Sequence, residues 1–374
     1  MLTDGIHAPA GDEIQALNPL EIEDWDAQVA RMPGATFFHG LAWAKVLQRT
    51  YGYHPLYFTT AKSGRIESLL PVMKVESWLT GRRGVSLPFS DTCAPVCGDA
   101  DSGRRLIQNA KNYGKKQRWK YLEFRGGRAF VSDLPASTSY FGHELKLQSD
   151  EVALFSKLAS STRTAVRKAE QGGLKIEFSQ SPEAVKTFHR LLCLTRQRHG
   201  VPPQSFSFFA NIQNQVLAKN QGWVVLARLG NVPVAGAVFF KFDRLVIYKF
   251  GASNPKYQSL RANNLVMWAA IGKYAREGFT YLDFGRTSLA NEGLRRFKLS
   301  WGAQERLIEY FRYDFKTGRY ITNPDASSSR IHRLYRMVPV LLSRLVGALL
   351  YKHIAVLLFS FAWSQYAITP DFHG

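Results

Sequence analysis

Apolar and polar positions follow two periods along the chain. His54-Pro-Leu-Tyr-Phe-Thr-Thr-Ala and Ser68-Leu-Leu-Pro-Val-Met-Lys-Val flank the polar turn Lys62-Ser63-Gly64-Arg65. β-Branched and aromatic runs around such a turn predict an antiparallel hairpin. The same arrangement returns at Gly222–Leu229, Gly230-Asn231 and Val232–Phe240. Downstream of each hairpin the period lengthens to that of a helix, over about 104–117 and 263–277. In the second stretch Leu265, Trp268, Ala269, Ile271 and Ala275 fall near one face. Each helix leads into a short strand with one acid, Tyr121-Leu-Glu-Phe and Tyr281-Leu-Asp-Phe. Hairpin, helix and strand occurring twice in that order predict duplicated α/β domains. The expected fold class is α/β (α+β), with a mixed, mostly antiparallel sheet flanked by helices in each domain. Expected boundaries are a flexible tail over 1–18, domains over 19–150 and 151–325, and a helical tail over 326–374.

Between the two copies lies a basic helix. Ser160 or Ser161 caps it and Gly172-Gly173 ends it. Arg163, Arg167 and Lys168 project from neighbouring positions on it. Another helix follows Ser181-Pro182, from Glu183 to about Arg198. From Ala326 to Pro370 no acid occurs, and Ile331, Leu334, Tyr335, Val338, Leu341, Leu342 and Leu345 share one face among arginines. That is the pattern of a basic amphipathic helix lying on a membrane. The apolar run Ile354–Trp363 is too short to span a bilayer, which needs about 20 residues. The expected contact is the inner-leaflet surface, through residues 330–363. The other reading is a helix packed on the second domain.

Composition narrows the function. The 374 residues are 45% hydrophobic and 21% charged, which excludes general disorder. Net charge is +20, which points to phosphorylated substrates, anionic lipid or nucleic acid. Three cysteines suit a reducing compartment. No secretory signal pattern opens the chain, so the expected location is cytoplasmic, peripheral to the inner membrane. Walker, Gly-x-Ser-x-Gly, Rossmann and His-Glu-x-x-His patterns do not occur, and Cys93-x-x-x-Cys97 has no second pair to complete a zinc site. No metal is expected.

Several stretches together resemble the Fem-type (FemAB-like) peptidyltransferases, a branch of the GNAT acyltransferase superfamily with two tandem GNAT-like domains. They are Arg163-Thr-Ala-Val-Arg-Lys-Ala-Glu-Gln-Gly-Gly-Leu, Tyr248-Lys-Phe-Gly-Ala-Ser, the helix ending at Glu277-Gly278, and Tyr281-Leu-Asp-Phe-Gly-Arg. Gly293-Leu-Arg-Arg-Phe-Lys-Leu-Ser-Trp-Gly302 carries the most specific spacing. In the first half, Phe37-Phe-His-Gly-Leu-Ala-Trp43 and Leu87-Pro-Phe-Ser-Asp91 also fit, and the likeness spans about 20–320. Proteins of this type also accompany exopolysaccharide and exosortase systems. The resemblance implies an N-acyltransferase acting on an amino group of a cell-envelope precursor, a peptidoglycan or exopolysaccharide intermediate.

Amide formation needs a cation or donor for the developing oxyanion, and phosphates need Arg and Lys. The resemblance places the functional lysine at Lys298. Tyr248 is the other catalytic candidate, with core packing as its plain alternative. Substrate-binding candidates are Arg163, Arg167, Asp91, Arg286 and Trp43. The two helix arginines read equally as an exposed basic face. Asp283 and Glu123 are equivalent acids, and Glu123 reads as structural. No tightly bound cofactor is expected. The donor is acyl-CoA or aminoacyl-tRNA, and tRNA is a possible partner. The superfamily's pyrophosphate loop, Arg/Gln-x-x-Gly-x-Gly/Ala, corresponds to Gln258-Ser-Leu-Arg-Ala-Asn, with Arg261 and Asn263 in place of the small residues. Without them close backbone approach to pyrophosphate is unexpected, which favours aminoacyl-tRNA. A rival reading is a non-catalytic, membrane-docked scaffold of a polysaccharide or protein-sorting system.

Overall fold

The computed structural model describes residues 13–322, 346, 347 and 350–353. Most of the expected membrane helix and the first twelve residues lie outside that set. The chain divides into two compact units. Among the described residues, 13–139, 308–322, 352 and 353 form the first, and 140–307, 346, 347, 350 and 351 the second.

The first unit contains β1 (Gln15–Leu17), α1 (Trp25–Val29), α2 (Leu41–Tyr51), β2 (His54–Lys62), β3 (Arg65–Ser77), β4 (Gly81–Val85), α3 (Ala100–Lys116) and β5 (Tyr121–Arg125). The anticipated hairpin is β2–β3, in register from His54↔Lys74 to Lys62↔Arg65. β4 pairs antiparallel with β3 and parallel with β5. Helix α3 starts at Asp99, whose carboxylate accepts from the Ser102 amide at 2.8 Å, the N-cap bond that satisfies an orphan donor. Its Leu106, Ile107 and Ala110 pack on Phe58, Leu70, Leu122 and Phe124 of the sheet.

The second unit contains β6 (Thr138–Lys146), α4 (Glu151–Ser156), α5 (Ser160–Gln171), β7 (Leu174–Ser179), α6 (Pro182–His199) and α7 (Phe206–Gln215). Then come β8 (Gly222–Leu229), β9 (Val232–Phe242), β10 (Leu245–Ser253), α8 (Ala262–Arg276), β11 (Tyr281–Ser288) and α9 (Glu292–Leu299). Hydrogen-bonded neighbours run β6-β11-β10-β9-β8-β7. Proline at the first position of α6, the Ser181 cap and the left-handed Gly200 after its end fix that helix as the sequence suggests. One face of α8, with Val266, Met267, Ala270, Ile271 and Tyr274, is buried against Val225, Ala235, Phe239 and Val246 of the sheet.

The chain then returns to the first unit through β12 (Gln304–Asp314), which pairs with β5, and β13 (Arg319–Tyr320), which pairs with β12. Two expected boundaries are corrected here. The units part between Ser139 and Tyr140, not after residue 150, and residues 308–322 belong with the first unit. The physical reason is pairing: Tyr310–Asp314 complete the first sheet beside Arg125–Tyr121. Within the expected tail over 1–18, Gln15–Leu17 form a strand paired with Tyr57–Thr59, and residues 1–12 lie outside the described set.

Candidate active site

The second unit carries a break in its sheet. Strands β10 and β11 run parallel and pair only at Leu245↔Tyr281, Val246↔Leu282 and Ile247↔Asp283. Immediately afterwards both are irregular: β10 shifts register against β9 between Tyr248 and Phe250, and β11 against β6 between Asp283 and Arg286. A bulge bends its strand and adds twist. Two bulges at the same level therefore part the strands, with Tyr248 on one and Phe284, Gly285 and Arg286 on the other.

The parted segment is built from polar bonds. The Asp283 carboxylate accepts from the Gly285 amide at 2.6 Å, and Gly285 takes φ +68°, a left-handed conformation that disfavours side chains. Lys298, on α9, donates to the carbonyls of Gly285 at 2.8 Å and Arg286 at 3.0 Å. It is only 2% exposed, so its ammonium lies behind the bulge and not on a solvated face. The buried Arg286 guanidinium lies 4.4 Å from the Tyr140 ring centre. The Tyr248 ring packs against Phe239 and Phe284, while its buried hydroxyl has no hydrogen-bond partner. Burial pushes that phenol far above its usual range, so it remains protonated and can donate. A Cβ on residue 251 would meet the hydroxyl at 1.9 Å, which is why glycine stands there.

A histidine not singled out from the sequence adjoins this segment. His143 lies on β6 between Gly142, opposite Arg286, and Glu144, opposite Asp283. Its Nε2 is 3.1 Å from Glu305 Oε2, and its Nδ1 is buried with no partner. Glu305 also accepts from Arg295 at 2.8 and 3.0 Å. Burial, reinforced by the charge of Lys298, pushes the imidazole down to about 4 against the pull of Glu305. His143 is therefore neutral near pH 7. The Arg295 bond, opposed by partial burial, holds Glu305 below the usual carboxylate range.

The motif around Lys298 also joins helices. Thr162 on α5 donates to the Ser300 hydroxyl at 2.8 Å, and the Ala159 amide donates to the Ser300 carbonyl at 2.9 Å. Arg163, one residue on, donates to the carbonyls of Ser156 at 3.1 Å and Leu158 at 2.5 Å, closing the turn from α4 to α5. Arg167 is exposed, 5.4 Å from the Phe155 ring centre.

At the start of α8, Gln258 accepts from Arg198 at 3.1 Å. Arg261 takes φ +54° as the residue before the helix, the left-handed conformation that a glycine would supply more cheaply. The loop thus keeps a glycine-like turn although the glycine is gone. A helix N-terminus with a half-buried arginine beside it favours an anion.

The two remaining candidates belong to the first unit. Trp43 is fully buried and its indole donates to the Pro88 carbonyl at 3.1 Å, so it supports the Leu87–Asp91 loop and presents no surface to a substrate. Asp91 is 5% exposed, and its main-chain carbonyl accepts from the Tyr310 hydroxyl at 2.6 Å.

The second unit thus combines parted parallel strands with a helix N-terminus beyond the first of them and a second helix backing the other. Residues 156–307 match the family model described as an acetyltransferase (GNAT) domain. FemX matches with a TM-score of 0.66 at 16% identity, over 82% of this chain and 98% of that one. The C-terminal domain (DUF2156) of a putative lysylphosphatidylglycerol synthetase from Agrobacterium fabrum matches with a TM-score of 0.53 at 13% identity, over 90% and 98%. A tandem GNAT protein from the clavulanic acid biosynthesis pathway matches with 0.52 at 11%, over 81% and 98%. No curated protein sequence matches significantly. The stretch 156–307 is thus similar to GNAT domains, and over about four fifths of the chain the fold is that of FemX and the tandem GNAT protein.

Proposed function

We propose that the chain is an N-acyltransferase that moves an acyl or aminoacyl group onto an amino group of a phosphate-bearing envelope precursor. The observation that carries the reading is the parting of β10 and β11 beside the buried, unpartnered Tyr248 hydroxyl. In this reaction the amine nitrogen bonds to the acyl carbon, the C–S or C–O bond to the donor breaks, and the proton lost by the amine replaces the one that Tyr248 gives to the leaving group. Tyr248, held protonated by burial, donates to the departing thiolate or alkoxide. Lys298 acts as a positioning residue, fixing the bulged carbonyls of Gly285 and Arg286, and its positive charge favours the oxyanion.

Arg261 and the first turn of α8 are suited to donor phosphate, whether of acyl-CoA or of a tRNA acceptor end. Arg167, exposed at the face of α5, is suited to phosphate of the acceptor. Similarity to the C-terminal domain of a putative lysylphosphatidylglycerol synthetase supports an aminoacyl group and a phosphate-bearing acceptor. The deciding experiment offers labelled acetyl-CoA and labelled aminoacyl-tRNA to the purified protein with amino-sugar and lipid-linked peptide acceptors. Transfer from one donor, lost in Lys298→Ala, identifies it. If neither donor binds, the acyltransferase reading falls and the scaffold reading takes its place.

A further inference from the structure

A turn far from this chemistry in the sequence exposes apolar side chains that the fold does not use. Between β3 and β4, Trp78 is 85% exposed and Leu79 51% exposed. The turn itself is firmly held. The Ser77 hydroxyl accepts from the amides of Leu79 and Thr80, and Arg83 is buried behind it with a bond to the Thr80 hydroxyl at 2.5 Å. A rigid turn that presents a tryptophan and a leucine to solvent has a use for them outside its own core.

Basic residues surround it. Ser77↔Gly81 closes the hairpin, the Lys120 amide donates to the Arg82 carbonyl, and the Phe315 amide donates to the Lys120 carbonyl. The end of β3, the starts of β4 and β5 and the end of β12 therefore share one end of the first unit's sheet. Arg82, Lys115, Lys116, Arg118, Lys120 and Lys316 are exposed on these segments and the last turn of α3. Glu76, the acid beside the turn, is already shared by Lys74 at 3.2 Å and Arg82 at 3.3 Å.

The path of the chain adds a third observation. His353 lies on the same turn: its Nδ1 is 2.9 Å from the Ser77 hydroxyl, its carbonyl accepts from Thr80 at 3.0 Å and Arg83 at 3.1 Å, and its ring is 5.7 Å from that of Trp78. The sequence that follows begins Ile354-Ala-Val-Leu-Leu-Phe-Ser-Phe-Ala-Trp363.

We propose that the Trp78–Leu79 turn is a bilayer-insertion tip that docks the first unit on an anionic phospholipid surface. Trp78 and Leu79 enter the interface, and the lysines and arginines around them meet lipid phosphates. Tryptophan suits the headgroup level because its ring is apolar and its N–H polar. The proposal is independent of acyl transfer, and its test needs no catalysis.

The full-length protein is sedimented with phosphatidylcholine vesicles, with and without phosphatidylglycerol. Binding that requires phosphatidylglycerol is expected. Trp78→Ala/Leu79→Ala lowers partitioning about tenfold, from lost apolar burial. Charge reversal at Lys116, Arg118 and Lys120 lowers it by at least roughly fivefold per residue. Bromine-labelled lipid quenches the wild type more than Trp78→Phe, a readout that the apolar C-terminal run cannot supply. These side chains are exposed, so the variants keep the fold, which unchanged thermal melting verifies. Equal binding to neutral vesicles overturns the proposal, as does quenching that is the same with and without Trp78. Loss of tRNA binding in Trp78→Ala/Leu79→Ala with vesicle binding intact overturns it in favour of nucleic acid.

Discussion

The two units begin the same device and finish it differently. In each, a short parallel pair ends at an acid: Val85↔Glu123 in the first and Ile247↔Asp283 in the second. Two residues beyond the acid the first unit has Arg125 and the second has Gly285. Arg125 is buried and binds the carboxylate of Glu123 at 3.2 Å and the carbonyls of Leu87 and Ser90 at 3.3 and 2.8 Å. The Ser86 amide donates to the Glu123 carbonyl and the Cys93 amide to the Arg125 carbonyl, both at 2.8 Å. The chain after β4 is thereby fastened across the end of β5. In the second unit β10 continues as a strand to Ser253, a tyrosine hydroxyl lies unpartnered, and a lysine from α9 holds the bulged carbonyls. The difference teaches how a duplicated fold divides labour. One copy uses its polar residues to close the break between its parallel strands, and the other uses them to hold the break apart.

The largest break in this comparison should come from Glu123→Gln. Burial alone would raise the Glu123 carboxyl, but Arg312 and Arg125 outweigh it and hold it below the usual range. Removing the charge leaves two buried guanidinium groups facing each other. Thermal and urea unfolding should report a loss of about 3–5 kcal/mol, whereas Asp283→Asn should cost clearly less stability.

Next comes Lys298→Ala, which should lower acyl transfer by about 10²–10³-fold. It should also lower stability by about 1–3 kcal/mol, through the abandoned carbonyls of Gly285 and Arg286. Steady-state rates and urea unfolding of one preparation separate the two. Activity unchanged by the substitution would make Lys298 a brace only.

A pH scan sharpens the comparison further. The folded state holds His143 down at about 4 from an ordinary 6.5, so folding favours the neutral ring. The stabilisation is complete above about pH 6.5 and is lost as pH falls toward 4. Between pH 7 and 5 urea unfolding should register a loss of about 2 kcal/mol. His143→Gln should remove that dependence. Glu305, also held low, adds its own loss only at more acid pH.

Tyr248→Phe should have the smallest effect on the fold and the most informative one on function. Deleting a buried, unpartnered hydroxyl should stabilise the protein by roughly 1 kcal/mol. If the phenol donates to the leaving group, transfer should fall by about 10²-fold in kcat with KM unchanged.

Much of this was legible in the chain. The hairpins and α8 stand out because burial of one face imposes a period of two or of 3.6. The Phe297-Lys298-Leu-Ser-Trp-Gly302 motif was legible because almost every residue has a packing or bonding duty. Phe297 and Trp301 are core, Lys298 holds the bulge, Ser300 receives α5, and Gly302 takes φ +77°. The pairing of His143 with Glu305 was not, because the two lie 162 residues apart and neither has a local pattern. Nor was the return of β12 to the first unit. An amphipathic strand declares that it needs a neighbour, not which neighbour it takes. Trp43 shows the reverse error, since a motif aromatic beside a polar loop reads the same whether it faces a substrate or supports the loop from below.

That returning strand sets a timetable for synthesis. Arg312, which neutralises Glu123 at 2.7 Å, is translated only after all of 140–307. At about 5–20 residues per second, the nascent first unit waits roughly 10–30 s for its last strand. During that interval Glu123 has Arg125 alone, and β5 presents an unpaired edge to whatever emerges next. The ribosome therefore releases this protein as one folding problem, and a gene cut between the two copies would deliver a first half that lacks its own closing strand.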